Sequence, residues 1–139
     1  MAIILDADLI IRGEKGLFDL QGWLTANAEE EFEIAAINVA ELWHGVERAS
    51  GERRLRQHYL ETILAPLPVV PYTEEIAREH ARVWAELETA GKMSGYYDLI
   101  VAATARHRGS LVATFNRKHF ENVVGLVLVD LPTGREPIP

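Results

Sequence analysis

The run Ala2-Ile3-Ile4-Leu5 ends abruptly on acids: Asp6 and then Asp8 interrupt the stretch AIILDADLII. Consecutive apolar residues of this kind read as a strand buried on both faces, the pattern of a parallel sheet. Carboxylates do not continue such a strand. Asp6 therefore marks its C-terminal tip, and Asp8 the turn beyond it. In an open α/β sheet the carboxyl tips of the strands are where ligands bind. Asp8 has a plain structural reading as well, as the cap of a short following helix. Asp6 has no such ready explanation, because it lies against the core without a partner near it in sequence.

The remaining chain alternates strand and helix patterns. A polar loop from Arg12 to Gly16 leads to Leu17, Leu20, Trp23 and Leu24 at helical spacing, which predicts a helix over residues 17–27. FEIAAI, residues 32–37, reads as a second strand. Asn38 is placed to cap a helix over 39–49, and a further helix over 52–64 carries Leu55, Tyr59, Leu60, Ile63 and Leu64 on one side, with Arg53, Arg54, Arg56 and His58 on the other. Val69-Val70 forms a short third strand. A helix over 74–90 follows, capped by Thr73 and ended by Gly91, and then one over about 96–107, ended by Gly109. Residues 111–114 and 126–129 read as the fourth and fifth strands. This order predicts one α/β domain over residues 1–139, with a mainly parallel sheet and helices on both faces. Residues 131–139, rich in Pro and Gly, read as a loose tail.

Composition removes several function classes. The chain has 139 residues and no cysteine, so disulfides, thiolate metal sites and cysteine nucleophiles are excluded. No apolar run approaches the roughly 20 residues of a membrane helix. The N-terminal run is short and lacks a basic flank, so it does not read as a signal peptide, and a cytoplasmic location is expected. The net charge of −7 argues against broad nucleic-acid binding through a basic surface. It leaves room for a nuclease, since carboxylates gathered around a divalent cation inflate the negative count.

Parallel strands joined by right-handed crossovers bring their C-terminal tips to one edge. The polar residues that follow the strands are therefore collected there: Asp6 and Asp8 after the first, Asn38 and Glu41 after the second, Asn116 after the fourth. Asp98, in the first turn of the helix before the fourth strand, joins them. Two of these acids have competing structural readings. Asn38 and Glu41 have the spacing of a capping box, and an acid in a helix's first turn, such as Asp98, complements the dipole. His44 and His80 read more simply as structural than as ligands, and Trp23, Trp43 and Trp84 as core or interface. Carboxylates without thiolates or paired histidines favour hard cations such as Mg²⁺ or Mn²⁺. Sites of that kind usually act on phosphates, which points to phosphoester hydrolysis.

Four stretches carry a resemblance. LDADLII resembles the opening motif of PIN-domain nucleases. INVAELWHGVERA (37–49) is similar to the second motif of VapC-type toxins, with Glu41 at its acid. GKMSGYYDLIVAATARHRG (91–109) resembles the third, with Asp98 at its acid, and LVATFNRKHF (111–120) the fourth. The resemblance spans nearly the whole chain in order. It implies a three-layer α/β/α PIN-like domain with a sheet of about five strands. It also implies a metal-dependent endoribonuclease, the toxin of a toxin–antitoxin pair, cutting structured RNA such as tRNA.

On this resemblance Asp6, Glu41 and Asp98 hold one or two Mg²⁺ or Mn²⁺ ions. Asn116 stands at the family's fourth acidic position, where a neutral amide is the weaker ligand and bears on a second metal. Asp8 stands where the family often has Asn and supplies an extra carboxylate, and Thr114 matches a supporting hydroxyl. The loops offer Arg12, Lys15, Lys92, Arg117 and Lys118 as RNA contacts. The implied partners are a cognate VapB-like antitoxin with a basic inhibitory segment and a second copy of the chain, for which the apolar side of residues 52–64 is a candidate surface. The competing reading, motivated by Asn116, is a non-catalytic PIN-like module that only binds a partner. A receiver-like phosphoacceptor domain is disfavoured, since residues 51–71 contain no Asp.

Overall fold

The computed structural model describes residues 2–132. β1 (Ala2–Leu5) is followed by α1 (Ala7–Glu14), α2 (Leu20–Ala26), β2 (Glu31–Ala35), α3 (Ala36–Glu47), α4 (Arg53–Leu64), β3 (Val69–Val70), α5 (Glu74–Ala90), α6 (Tyr96–Arg108) and β4 (Leu111–Ala113), with a 3₁₀ turn at Arg117–His119. Among the described residues the strands form one parallel sheet in the order β3-β2-β1-β4. β1 is central, and its side chains alternate between two cores as the period of two requires. Ile3 and Leu5 face a cluster with Leu9, Ile10, Leu42, Val46 and Leu60 from α1, α3 and α4. Ile4 faces Val83, Leu87, Leu99, Val101 and Phe120 from α5, α6 and the loop beyond β4. Helices thus cover both faces, giving the expected three layers.

Several boundaries differ from the sequence reading, each for a local reason. The expected loop after β1 is largely helix. Asp6, not Asp8, is the N-cap of α1, its side chain accepting the Ala7 N–H at 2.9 Å. α2 begins at Leu20 rather than residue 17, because Asp19 caps it by accepting from Gly22 N–H. α3 begins directly off β2 at Ala36, so Asn38 lies inside the helix and no capping box forms. The fifth strand expected at 126–129 reduces to a single bridge between Val112 and Leu128. β4 is only three residues long, and Gly125 turns the chain (φ 81°) just before this segment, leaving length for one paired position.

The apolar side of α4 is largely spent on the core. Leu60 is buried, Tyr59, Ile63 and Leu64 pack beside it, and Leu55 alone of that set stands out, 65% exposed. Leu131 packs against the core at the start of the expected tail, and residues 133–139 lie outside the described residues. No helix among the described residues is long and apolar enough to cross a membrane.

Two charged side chains in the interior are paired. Glu33 on β2 is 6% exposed, and Arg108 grips both its oxygens at 2.9 and 2.7 Å while the Ser110 hydroxyl donates at 3.0 Å. Arg106 on α6 reaches back to Glu79 and Glu86 on α5 and donates to the Val124 carbonyl, tying the second helical layer together.

Candidate functional site

The chain runs from β1 outward through β2 and β3, then returns to place β4 on the other side of β1. The strand order therefore reverses between β1 and β4, and a crevice opens at their carboxyl ends, the place where open α/β sheets bind ligands. Leu5 pairs with Ala113 at the end of this ladder. The next residues are Asp6 and Thr114.

Asp6 is 5% exposed, and three groups donate to it: Ala7 N–H at 2.9 Å, the Asn38 side-chain amide at 3.3 Å and the Thr114 hydroxyl at 2.8 Å. None of these donors is a cation. Burial consequently pushes the Asp6 carboxyl above the usual range; the Thr114 bond offsets part of this, and the facing Asp98 charge adds to it. Glu41, one turn beyond Asn38 on α3, accepts from the same Asn38 amide at 3.0 Å. Its carboxyl is also pushed up by burial, and further by Asp6 and Asp98. Asp98, in the first turn of α6, is raised by burial, an effect offset by His119, whose Nδ1 lies 3.0 Å from its Oδ2. Three acids from three elements therefore share one electrostatic environment around the tip of β1.

Asp8 belongs to the same edge. Its carboxylate accepts the Phe115 N–H at 2.9 Å, and the Thr114 hydroxyl lies 3.4 Å from its other oxygen. Burial first and the Asp6 charge second push it up to about 7. The segment after β4 is thus folded around Asp8. The Asn116 side chain is exposed and outside this hydrogen-bonded group, and its backbone N–H donates to the Thr114 hydroxyl.

Of the basic loop residues, Arg12 lies over the Phe115 ring at 4.8 Å and partly offsets the Asp8 charge. Lys15 borders a cleft between α1 and α4 with Arg48 and Arg56. Arg117 donates to the Val129 carbonyl, which ties it to the loop, and Lys92 and Lys118 stand exposed. His44 is exposed and borders the clefts beside Glu41, rather than half-buried as its position suggested. His80 is not in the core proper. It stacks on Trp84 and bonds the Tyr72 hydroxyl at 2.9 Å.

Sequence reasoning did not single out His119 or Tyr97, or the placement of Arg48 beside Glu41. His119 sits three residues past Asn116, a spacing that one 3₁₀ turn converts into proximity, and the Ser94 hydroxyl anchors its carbonyl.

Does this group suit a hard divalent cation? Among the described residues no three acidic or histidine side chains already stand close enough to enclose an ion. The donor chemistry nevertheless fits: carboxylates that raise one another's proton affinity, a supporting hydroxyl, and a buried Asn38 carbonyl oxygen that has no partner. A dication would relieve the repulsion that burial leaves uncompensated. Asp98 is held on the open side by His119, and Glu41 from the buried side by Asn38.

Residues 3–126 match the sequence profile of the PIN domain. VapC ribonuclease Y4jK of Sinorhizobium fredii is 33% identical over 135 residues, covering 92% of this chain and 96% of that protein. The tRNA(fMet)-specific endonuclease VapC of Salmonella typhimurium is 33% identical over 98 residues, covering 70% of this chain and 73% of its own length. Among solved structures, the fold recurs in DNA-bound VapBC from Salmonella typhimurium, with a TM-score of 0.85 at 26% identity over 94% of this chain and 98% of that one.

Proposed function

This chain belongs to the PIN-domain family, in its VapC type, and on that premise we propose that it is a divalent-metal-dependent endoribonuclease, the toxin of a toxin–antitoxin pair. The observation that carries the proposal is the Asp6 carboxylate at the sheet's switch point. It is buried and hydrogen-bonded, it faces Glu41 and Asp98, and none of its hydrogen-bond donors among the described residues is a cation. Such an arrangement costs folding energy unless a cation uses it.

In this reading Asp6, Glu41 and Asp98 hold Mg²⁺ or Mn²⁺. When bound, the ion supplies Lewis-acid activation of water and neutralises charge developing on the scissile phosphate. The protein's own share is positional. Thr114 and Asn38 fix the two Asp6 oxygens, and Asn38 also orients Glu41. His119 steadies Asp98 on the solvent side. Asp8 adds a carboxylate beside the fourth motif, where Asn116 has none, and this favours catalysis over the binding-only alternative. The substrate is RNA, with structured RNA such as tRNA as the first candidate on the strength of the Salmonella relative. Arg12, Lys15, Lys92 and Lys118 are available for backbone phosphates.

The proposed antitoxin seat is the cavity of about 210 Å³ between α1, α3 and α4, whose apolar wall of Ile10, Leu42, Val46, Tyr59 and Leu60 is edged by Glu14 and Glu41 and by Lys15, Arg48 and Arg56. A basic segment suits a chain of net charge −7. A homodimer, as the family resemblance implies, finds more exposed aromatic surface at Tyr72, Trp84 and Tyr96 than on α4. The functional test is brief induction followed by sequencing of RNA 5′ ends. New 5′-phosphate ends and growth arrest are expected with the wild type, and neither with Asp6→Asn. Equal arrest by both would remove the assigned site.

A further inference from the structure

Tyr96 and Tyr97 are adjacent at the start of α6 and project to different surroundings, as neighbours on a helix must. Tyr96 packs edge-on against Trp84, whose ring stacks on His80, which in turn bonds Tyr72. Tyr97 instead borders an open cleft of about 460 Å³ with Ile11, Ile37, Ala40, Glu41, His44 and Arg48. It is 56% exposed, has no ring partner among the described residues, and directly precedes Asp98. Ile11, itself 37% exposed, and Ile37 and Ala40 give the cleft an apolar lining. His44 and Arg48 also line it, and Arg48 makes no ion pair among the described residues.

An aromatic face, an apolar lining and a free cation are the components that hold an unstacked nucleobase and the phosphate next to it. The cleft shares Glu41 with the carboxylate group, and Tyr97 directly precedes Asp98. We propose that this cleft is a base-stacking subsite, in which the Tyr97 ring seats the nucleobase adjoining the scissile phosphate and Arg48 meets the neighbouring phosphate. The proposal rests on the nucleolytic reading above and adds to it a determinant of substrate binding. It commits to a single-stranded or extruded nucleotide of RNA, since a duplex does not offer a free base face.

The experiment measures binding of a short fluorescein-labelled single-stranded RNA by anisotropy in an Asp6→Asn background, which allows binding to be read without cleavage. Tyr97→Ala is expected to weaken binding roughly 5- to 100-fold, the range that loss of one base–aromatic stack implies. Tyr97→Phe and Tyr97→Trp should retain affinity, Tyr97→Leu should not, and Val124→Ala, at an exposed apolar residue outside the cleft, should leave it unchanged. An abasic nucleotide at one position of the RNA should cost the wild-type Tyr97 protein as much as Tyr97→Ala does, and cost Tyr97→Ala little more. Unchanged RNA affinity in Tyr97→Ala overturns the proposal, as does a Tyr97→Ala loss that is seen only with an antitoxin and not with RNA. RNA that is bound and cleaved without regard to Tyr97 sinks the subsite alone. Failure of the wild-type chain to bind or cleave any RNA sinks the nucleolytic reading first.

Discussion

Burial gives Asp8 a charge state that responds to pH near neutrality. Its carboxyl is held at about 7 against 3.8 for an unperturbed Asp, by burial and by the Asp6 charge. Between those values the unfolded chain gives up a proton that the folded chain keeps. Stability from this group is therefore fully present below about pH 4, falls as pH rises toward about 7, and is flat above. Asp8→Asn keeps an acceptor for the Phe115 N–H and cannot ionise. Its urea midpoint should match the wild type near pH 4 and exceed it near pH 8; an equal offset at both pH values would show that Asp8 titrates normally. At this scale the sequence was informative about Asp6 and Asp8, because carboxylates at the end of a buried strand conflict with their surroundings. It was misleading about Asn38 and Glu41, whose spacing matches a capping box. The helix starts three residues earlier, so the Asn38 side chain is free to bridge Glu41 and Asp6. His119 and Tyr97 were not legible, because a basic residue and a tyrosine on a polar stretch carry no pattern until the fold supplies the neighbour.

The helices on the second face depend on one side chain more than on propensity. Arg106, with its side chain 17% exposed, meets Glu79 at 2.7 Å and Glu86 at 2.9 Å across the α5–α6 contact. Both acids are held below the usual carboxylate range by these bonds. Arg106→Met should cost about 1–2 kcal/mol, because Glu79 loses its closest partner and keeps only Arg82 at 3.5 Å. Arg106→Lys should recover only part, since an ammonium cannot serve both carboxylates as the guanidinium fork does. Thermal or urea unfolding measures this, and a loss under about 0.5 kcal/mol would class the pair with ordinary surface bridges. α5 was readable residue for residue, from Thr73 as cap to Gly91 in the left-handed region (φ 68°) as stop. α1 was not, because its apolar residues 9–11 continue the run of β1 and mimic an extended strand.

For the molecule as a whole, the alternation of strands and helices was enough to give a parallel three-layer sheet, and that topology alone decides where the tips converge. The sequence did not reveal the order β3-β2-β1-β4, since four short strands fit several orders, nor that the last segment would pair at one position only. The order matters because it puts the switch point beside Asp6 and Thr114, and so turns a list of scattered acids into one site. In the proposed reading a cation relieves the mutual repulsion of these acids.

The central claim is that Asp6, Glu41 and Asp98 act together as a metal-dependent RNA-cleaving centre. Its most direct test is cleavage of purified tRNA by the purified chain, with Mg²⁺ or Mn²⁺ and then with EDTA, compared with an Asp98→Asn variant of unchanged circular dichroism. Cleavage should require the metal and fall by roughly a hundredfold or more in the variant. Wild-type rates in EDTA, or in Asp98→Asn with the metal present, would contradict the account.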